Sequence, residues 1–368
     1  MRKLILASLL LALPLASAQD YVFGITFDAG GKFDGSFNEG TWNGLSEAVA
    51  ELRDEGLLID ILEFEGTPDT SAQGQRQIAS QGAELILAPG FLQADAITAT
   101  SQEFPETSFV LIDGVAENPN VRSVLFKEHE GSYLVGYIAG SLTQTGTVGF
   151  VGGMDIPLIR AFDLGYQEGV TAACPECEVV SNYVGVTPAA WNDPARAKEL
   201  ATTQQAQGAD IIYAAAGASG NGVIDFVNQT MCFGGGDRES PLAAQLESVD
   251  VSDAYASNCE GQKPLFFIGV DSNQNPRGDT DGNPATLNHG LTSMLKRVDT
   301  AAYNAALDVA NGEFEGGVQT LGLAEDGVGY AMDEFNGALI PESLVTELDA
   351  VRQQIIDGEI VVTDFREQ

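Results

Sequence analysis

At 368 residues, with 53 acidic against 17 basic side chains, the chain has a formal net charge of −36. Repulsion at that level argues against a nucleic-acid backbone as a partner, and a chain this long exceeds what one core usually supports, so two lobes are expected. The acidic excess reads first as a solvated surface and, more sharply, as the mark of a saline habitat.

In chain order, Arg2 and Lys3 open a short basic segment, Leu4 to Leu13 is apolar, and Ala16-Ser17-Ala18 fits a small-x-small cleavage site. Residues 1–18 therefore read as a signal peptide cleaved after Ala18, which gives an exported protein, periplasmic or extracellular. The apolar run is too short to span a bilayer, and no Cys stands at the cleavage point to take a lipid.

Beyond the leader, apolar runs suited to buried strands fall near 21–27, 58–64, 84–88, 108–112, 121–126, 147–151, 178–184, 210–215, 265–270 and 291–295. Helical periodicity lies between many of them, over 38–54, 70–81, 92–103, 130–143, 157–172, 194–207, 218–229 and 297–311. The tail reads as short strands at 318–323 and 328–332, a helix at 341–356 and a final strand at 359–363. This alternation is the signature of parallel sheets with helices on both faces. No internal repeat is evident in the sequence. One rhythm running through two domain lengths still suggests two similar lobes, with ligands held in a cleft at the carboxyl ends of the strands.

Two segments break the rhythm. Residues 230–263 are rich in Gly, Ser and Asp and read as a surface insertion. In the loop 272–289, Asp279, Asp281 and Asn283 are spaced like the start of a calcium loop, but no Glu stands at the twelfth position, so a polar turn is the favoured reading and no metal is expected. Four Cys form an even set for an exported chain. Pairing neighbours joins Cys174 to Cys177 and Cys232 to Cys259, the second pair closing the insertion. The rival readings are a redox CxxC and a zinc site. A redox motif usually opens a helix after a strand, whereas this one lies between a helix and the next strand. Zinc would need further ligands, and the chain has only His129 and His289.

Enzyme signatures are largely missing: there is no Gly-x-Ser-x-Gly, no Walker A loop and no HExxH. No catalytic residue and no cofactor are therefore expected. The polar residues at strand ends carry more information. Asp28, Asp113 and Asp271 each end a predicted strand, and Lys296, one of only six lysines, ends another. Carboxylates at strand ends suit hydroxyl-rich ligands, because each accepts two hydrogen bonds. Any one of these Asp residues alone reads more readily as a turn former or cap, but several at equivalent ends, with one of the few lysines, weaken that reading. Phe37 and Asn38 put an aromatic face beside a carboxamide in the loop after the first strand, a pairing that suits a flat ring with polar edges. Trp191, in a loop of the second half, supplies another aromatic face, although a lone loop aromatic usually packs on its own lobe. Gly217, opening Gly217-Ala218-Ser219-Gly220-Asn221-Gly222, is either a tight turn or a place where backbone approaches a ligand.

With these residues in place, the chain resembles the basic membrane protein (BMP) family of ABC-transporter substrate-binding proteins, which includes purine nucleoside receptors. The matching segments are Phe33-Asp34-Gly35-Ser36-Phe37-Asn38 with Trp42, Gly44 and Leu45, then Phe109 to Gly114, Glu130 to Gly136, Val148 to Met154, Ala214 to Gly222, Ile268 to Asp271 and Thr292 to Arg297. They run collinearly from about residue 21 to 332.

The resemblance implies an α/β type I periplasmic-binding-protein fold, with two doubly wound parallel-sheet lobes joined by a three-crossover hinge. The lobes would be residues 19–126 plus 296–313 and residues 127–295 plus 314–368. It implies a monomer that captures a purine nucleoside of the inosine, guanosine or adenosine class and delivers it to a membrane permease with a separate ATPase. By position, Phe37 would stack on the base, Asn38 would hydrogen-bond its edge, Asp113 would lie near the ligand, Asp271 and Lys296 would hold the ribose, Gly217 would lend backbone, and Asp28 would be a weaker member. The chain departs from the pattern in carrying Trp191 where Phe is common, in lacking the lipid-attachment Cys, and in its 230–263 insertion. A sugar or autoinducer receptor of the same fold is the alternative, and a nucleoside hydrolase is disfavoured for want of a nucleophile or paired acid and base.

Overall fold

The computed structural model describes residues 20–368; the expected leader lies outside the described residues. The first lobe is built from β1 (Tyr21–Phe27), α1 (Phe37–Asp54), β2 (Ile59–Glu65), α2 (Ser71–Ala79), β3 (Leu85–Pro89), α3 (Ala94–Glu103), β4 (Ser108–Ile112) and β5 (Val121–Phe126). Apolar runs such as Leu85-Ile86-Leu87-Ala88-Pro89 are buried along their whole length, as central parallel strands covered by helices on both faces must be.

The chain then enters the second lobe through α4 (Glu128–Leu142), β6 (Thr147–Met154), α5 (Pro157–Ala173), β7 (Glu178–Gly185), α6 (Pro194–Ala206), β8 (Ile211–Ala215) and α7 (Gly220–Thr230). Next come β9 (Cys232–Phe233), α8 (Pro241–Leu246), α9 (Asp253–Asn258), β10 (Lys263–Pro264), β11 (Phe266–Asp271) and β12 (Gly290–Lys296). Helices α4 and α5 pack backbone to backbone. A Cβ on Gly136 would lie 2.2 Å from the Tyr166 carbonyl oxygen, and one on Gly169 2.0 Å from that of Tyr133. Only glycine permits that approach.

The last segment returns to the first lobe as α10 (Val298–Asn311), which packs on α1, and β13 (Gly317–Leu321). It ends in the second lobe as β14 (Val328–Tyr330) and α11 (Glu342–Ile356). The sheet orders are β13-β5-β4-β3-β1-β2 and β14-β12-β11-β8-β6-β7. The two lobes thus repeat one strand order, the likeness that the strand-helix rhythm suggests, although no internal repeat is evident in the residues themselves. All pairings in the two sheets are parallel except that of β14 with β12. The lobes are joined at Lys127, at Arg297 and over 322–327, which makes three crossovers.

Three details depart from expectation. The strand expected at 318–323 with the second-lobe tail pairs with β5 at the edge of the first sheet instead. Its mostly exposed side chains suit an edge, where one neighbour satisfies the ladder. Residues 359–363 form no strand. Val362 packs inward, and the backbone N–H of Thr363 donates to Glu168 Oε2 at 2.9 Å. The 230–263 insertion is folded rather than a plain loop: β9 and β10 pair antiparallel around α8 and α9, closed by the Cys232–Cys259 disulfide. Cys174 and Cys177 are also joined. Asp279 Oδ1 accepts from the backbone N–H groups of Asp281, Gly282 and Asn283, which is the geometry of a polar turn. No helix among the described residues is long and apolar enough to cross a membrane.

Candidate functional site

Each lobe turns the carboxyl ends of its strands toward the other, and the space between holds about 580 Å³, part of it open to solvent. Asp28, Phe37, Asn38, Asp113, Trp191, Gly217, Asp271 and Lys296 all line this one cavity. The structure brings these residues together, and the surroundings of each follow from its partners.

Asp113 and Asp271 occupy matching places, each just beyond or at the end of the third strand of its sheet. Both have left-handed backbone, with φ of 66° and 62°. That conformation costs a non-glycine residue on the order of 1 kcal/mol, and its recurrence at two equivalent strand ends marks a site rather than a chance turn. Lys296, the last residue of β12, is 2 % exposed. Its Nζ lies 2.6 Å from Asp113 Oδ2 and 3.2 Å from Glu128 Oε1. The rings of Phe37 and Phe126 stand 5.2 Å from the same ammonium, and that of Phe162 stands 5.6 Å away. Burial alone would lower the pKa of Lys296, but Asp113, Glu128 and Asp271 outweigh it and hold the side chain charged.

The loop after β1 is organised by Asp34. Its carboxylate accepts from the backbone N–H of Ser36, Asn38 and Glu39 and from Asn38 Nδ2, so it fixes the start of α1. Asn38 also accepts the Asp28 N–H at its Oδ1, 2.9 Å away. Its carboxamide therefore ties the end of β1 to α1, and one N–H remains for another partner. Burial first, then Asp113 and Asp34, push the Asp28 carboxyl up to about 6 against the Ala29 N–H. Burial pushes Asp271 up to about 7, opposed by Lys296 and by the Ser36 hydroxyl 2.6 Å away.

That Ser36–Asp271 contact crosses the cleft. Beside it, the Ser272 hydroxyl donates to the Ser36 carbonyl at 3.0 Å and Gln274 Nε2 donates to the Gly35 carbonyl at 2.8 Å. The lobes are therefore latched in a closed arrangement. Trp191 ends a 3-10 turn over Pro188–Trp191 and seats its indole on Gly153 and Gly217. A Cβ on Gly153 would lie 2.4 Å from that ring. Gly217 has φ 53°, so it serves both as the tight turn and as the close approach. Trp191 Nε1 and Asp113 Oδ1 are buried without a hydrogen-bond partner among the described residues. Buried polar atoms are usually paired, and these two belong to residues that line the cavity.

Sequence reasoning missed Asp34, Phe91, Leu158, Ile159 and Phe162, which also line the cavity. Leu158, Ile159 and Phe162 fall on the apolar stripe of α5, where helical periodicity assigns them to the core. Phe91 follows β3, so the strand-end rule applied to Asp28 and Asp113 would have found it. No group of His, Cys, Asp and Glu among the described residues is arranged to hold a metal.

Comparison with known proteins agrees with this geometry. Residues 23–230 match the family model described as ABC transporter substrate-binding protein PnrA-like. The CD4+ T-cell-stimulating antigen of Listeria monocytogenes is 31% identical over 95% of this chain and 89% of its own length. The ABC transporter nucleoside-binding protein BmpA of Lactococcus lactis is 29% identical over 92% of this chain and 88% of its own. Among solved structures, an ABC transporter solute-binding protein from Aeropyrum pernix superposes with a TM-score of 0.72 at 26% identity, covering 94% of this chain and 93% of that one. One from Conexibacter woesei superposes at 0.66 and 22% identity, covering 94% and 99%, and supports the fold. The type I periplasmic fold, the strand-end cleft and these matches lead to one assignment: the chain belongs to the PnrA-like family of ABC transporter substrate-binding proteins.

Proposed function

We propose that the protein captures a purine nucleoside between its lobes, without chemistry of its own, and presents it outside the cytoplasm to a membrane permease driven by a separate ATPase. The observation that carries this reading is the pairing of two aromatic faces from opposite lobes, Phe37 and Trp191, with a buried Asp113–Lys296–Asp271 group in one cavity. A planar base fills the aromatic gap, and a ribose supplies the hydroxyls that carboxylates accept. The nucleoside-binding relative of Lactococcus lactis favours the same ligand class.

In this reading Phe37 stacks on the base and Trp191 covers it, offering its free Nε1–H. Asn38 directs its remaining N–H, and Asp28 its carboxylate, to the polar edge. Asp113 and Asp271 accept from ribose hydroxyls, Lys296 donates, and Gly217 allows close backbone approach. The open form meets ligand on one lobe, and closure completes the Ser36, Ser272 and Gln274 bonds across the cleft. The closed form is the one that docks on the permease.

Calorimetric titration with inosine tests the assignment. Saturable binding that collapses in Asp271→Ala and Phe37→Ala is expected. Undiminished affinity in both variants would refute the site.

A further inference from the structure

We infer that Arg366, in the last 3-10 turn of the chain (Phe365–Glu367), is a positioning residue for Lys296 and acts on the sugar end of the cleft through buried Glu128. The ligand readout of this inference rests on the nucleoside reading above.

Glu128, the first residue of α4, is completely buried at the crossover between the lobes. Its Oε1 lies 3.2 Å from Lys296 Nζ and its Oε2 lies 3.1 Å from an Arg366 guanidinium nitrogen. Neither oxygen has a well-directed hydrogen bond, so charge rather than directional bonding holds the carboxylate. Lys296 is in turn shared between Glu128 and Asp113, the cleft residue 2.6 Å away. The order of charges is therefore Asp113, Lys296, Glu128, Arg366, leading from the ligand cavity to the end of the chain.

Arg366 is itself fixed. One guanidinium nitrogen donates to the Phe126 carbonyl at 3.1 Å and to Asp364 Oδ2 at 2.8 Å, and Nε donates to Asp364 Oδ1 at 2.9 Å. Phe126 ends β5 and directly precedes the first crossover, so the tail straps the hinge as well as neutralising Glu128. Exposed ion pairs contribute little, but the two central members of this chain are 0 % and 2 % exposed. Removing one partner of a buried pair leaves an uncompensated charge, which is strongly unfavourable.

Without Arg366, Lys296 is, among the described residues, the one nearby cation facing Asp113, Asp271 and Glu128. Glu128 then competes harder for the ammonium, and the Asp113–Lys296 pair at the cleft loses its geometry. A charge chain differs from a merely mechanical strap in its response to charge balance. Glu128→Gln, by removing the orphaned charge, should restore what Arg366→Met takes away.

The test is calorimetry with inosine and thermal unfolding without ligand, on the full chain and on Arg366→Lys, Arg366→Met, Glu128→Gln and the Arg366→Met/Glu128→Gln pair. Arg366→Met is expected to bind inosine about tenfold more weakly or worse, Arg366→Lys within about threefold of the parent, and the double variant tighter than Arg366→Met. The ligand-free melting temperatures should show the same rescue. Parent-like binding by Arg366→Met, or a loss that Glu128→Gln leaves untouched, overturns the inference. If the parent itself fails to bind inosine, the nucleoside reading falls, and the ligand-free melting cycle alone decides for or against the charge chain.

Discussion

The β1–α1 junction and the β6–α5 junction occupy the same place in their two sheets, yet they carry opposite chemistry. The first gives the cavity Asp28, Asp34 and Asn38 beside Phe37, whereas the second gives it Leu158, Ile159 and Phe162. The repeated strand order thus presents a polar corner from one lobe and an apolar wall from the other, which in the proposed function read and cover the ligand. Only at the third strand do the lobes agree, where Asp113 and Asp271 share a left-handed backbone. Lys296 stands where these halves meet, and the cavity depends on both.

The largest expected effect comes from removing that meeting point. Lys296→Met leaves Asp113, Glu128 and Asp271 without their common cation. Loss of one partner from buried pairs typically costs about 3–5 kcal/mol, so urea unfolding should show a large drop in stability together with lost binding. A variant as stable as the parent would sink the claim that this cluster joins the lobes.

Next come the two aromatic contributions. Removing a stacking ring costs about 1–3 kcal/mol per base, so Phe37→Ala should weaken inosine binding roughly 5- to 150-fold with little change in melting temperature. Phe162→Ala should do the reverse. Phe162 is buried in the second lobe, and Phe→Ala in a core costs about 3–5 kcal/mol of stability. Equal effects of the two substitutions on affinity and stability would erase the proposed division between reading and covering.

A smaller effect tests the carboxylates. Asp28 and Asp271 are raised to about 6 and about 7 from a usual 3.8, because burial disfavours the charged forms. In the ligand-free protein these groups favour the fold while protonated. That contribution is present below about pH 4 and is lost as pH rises through 6 and 7. A ligand hydroxyl or N–H needs the ionised carboxylate, so affinity should run the other way. From pH 5 to pH 8, the melting shift caused by inosine should grow while the contribution of these groups to ligand-free stability falls. Scanning fluorimetry reads both, and a ligand shift that stays flat across the range contradicts the assigned roles. Gly153→Ala should give the smallest change. A Cβ there meets the Trp191 ring at 2.4 Å and must displace it, so binding should fall a few-fold with the first lobe untouched.

Much of this was legible in the sequence because strand ends are readable. An apolar run closed by Asp or Lys gives both the element and the place where its side chain emerges, as at Asp113, Asp271 and Lys296. Asp34 reads from sequence as a local cap, a loop Asp before a helix, and it does cap α1. Phe162 was lost to helical periodicity, which cannot tell a core face from a cavity wall. The edge strand Gly317–Leu321 was assigned to the wrong lobe because its pattern says nothing about which sheet has a free edge. Glu128 and Arg366 lie far apart in sequence, and only the folded crossover brings them together.

The central claim is that the two lobes together recognise a base joined to a sugar. Calorimetric competition among inosine, hypoxanthine and ribose tests it most directly. Inosine is expected to bind far more tightly than either fragment and to displace both, because each fragment meets half of the residues that close on the whole. Ribose binding as tightly as inosine would contradict the claim and make the cleft a sugar site.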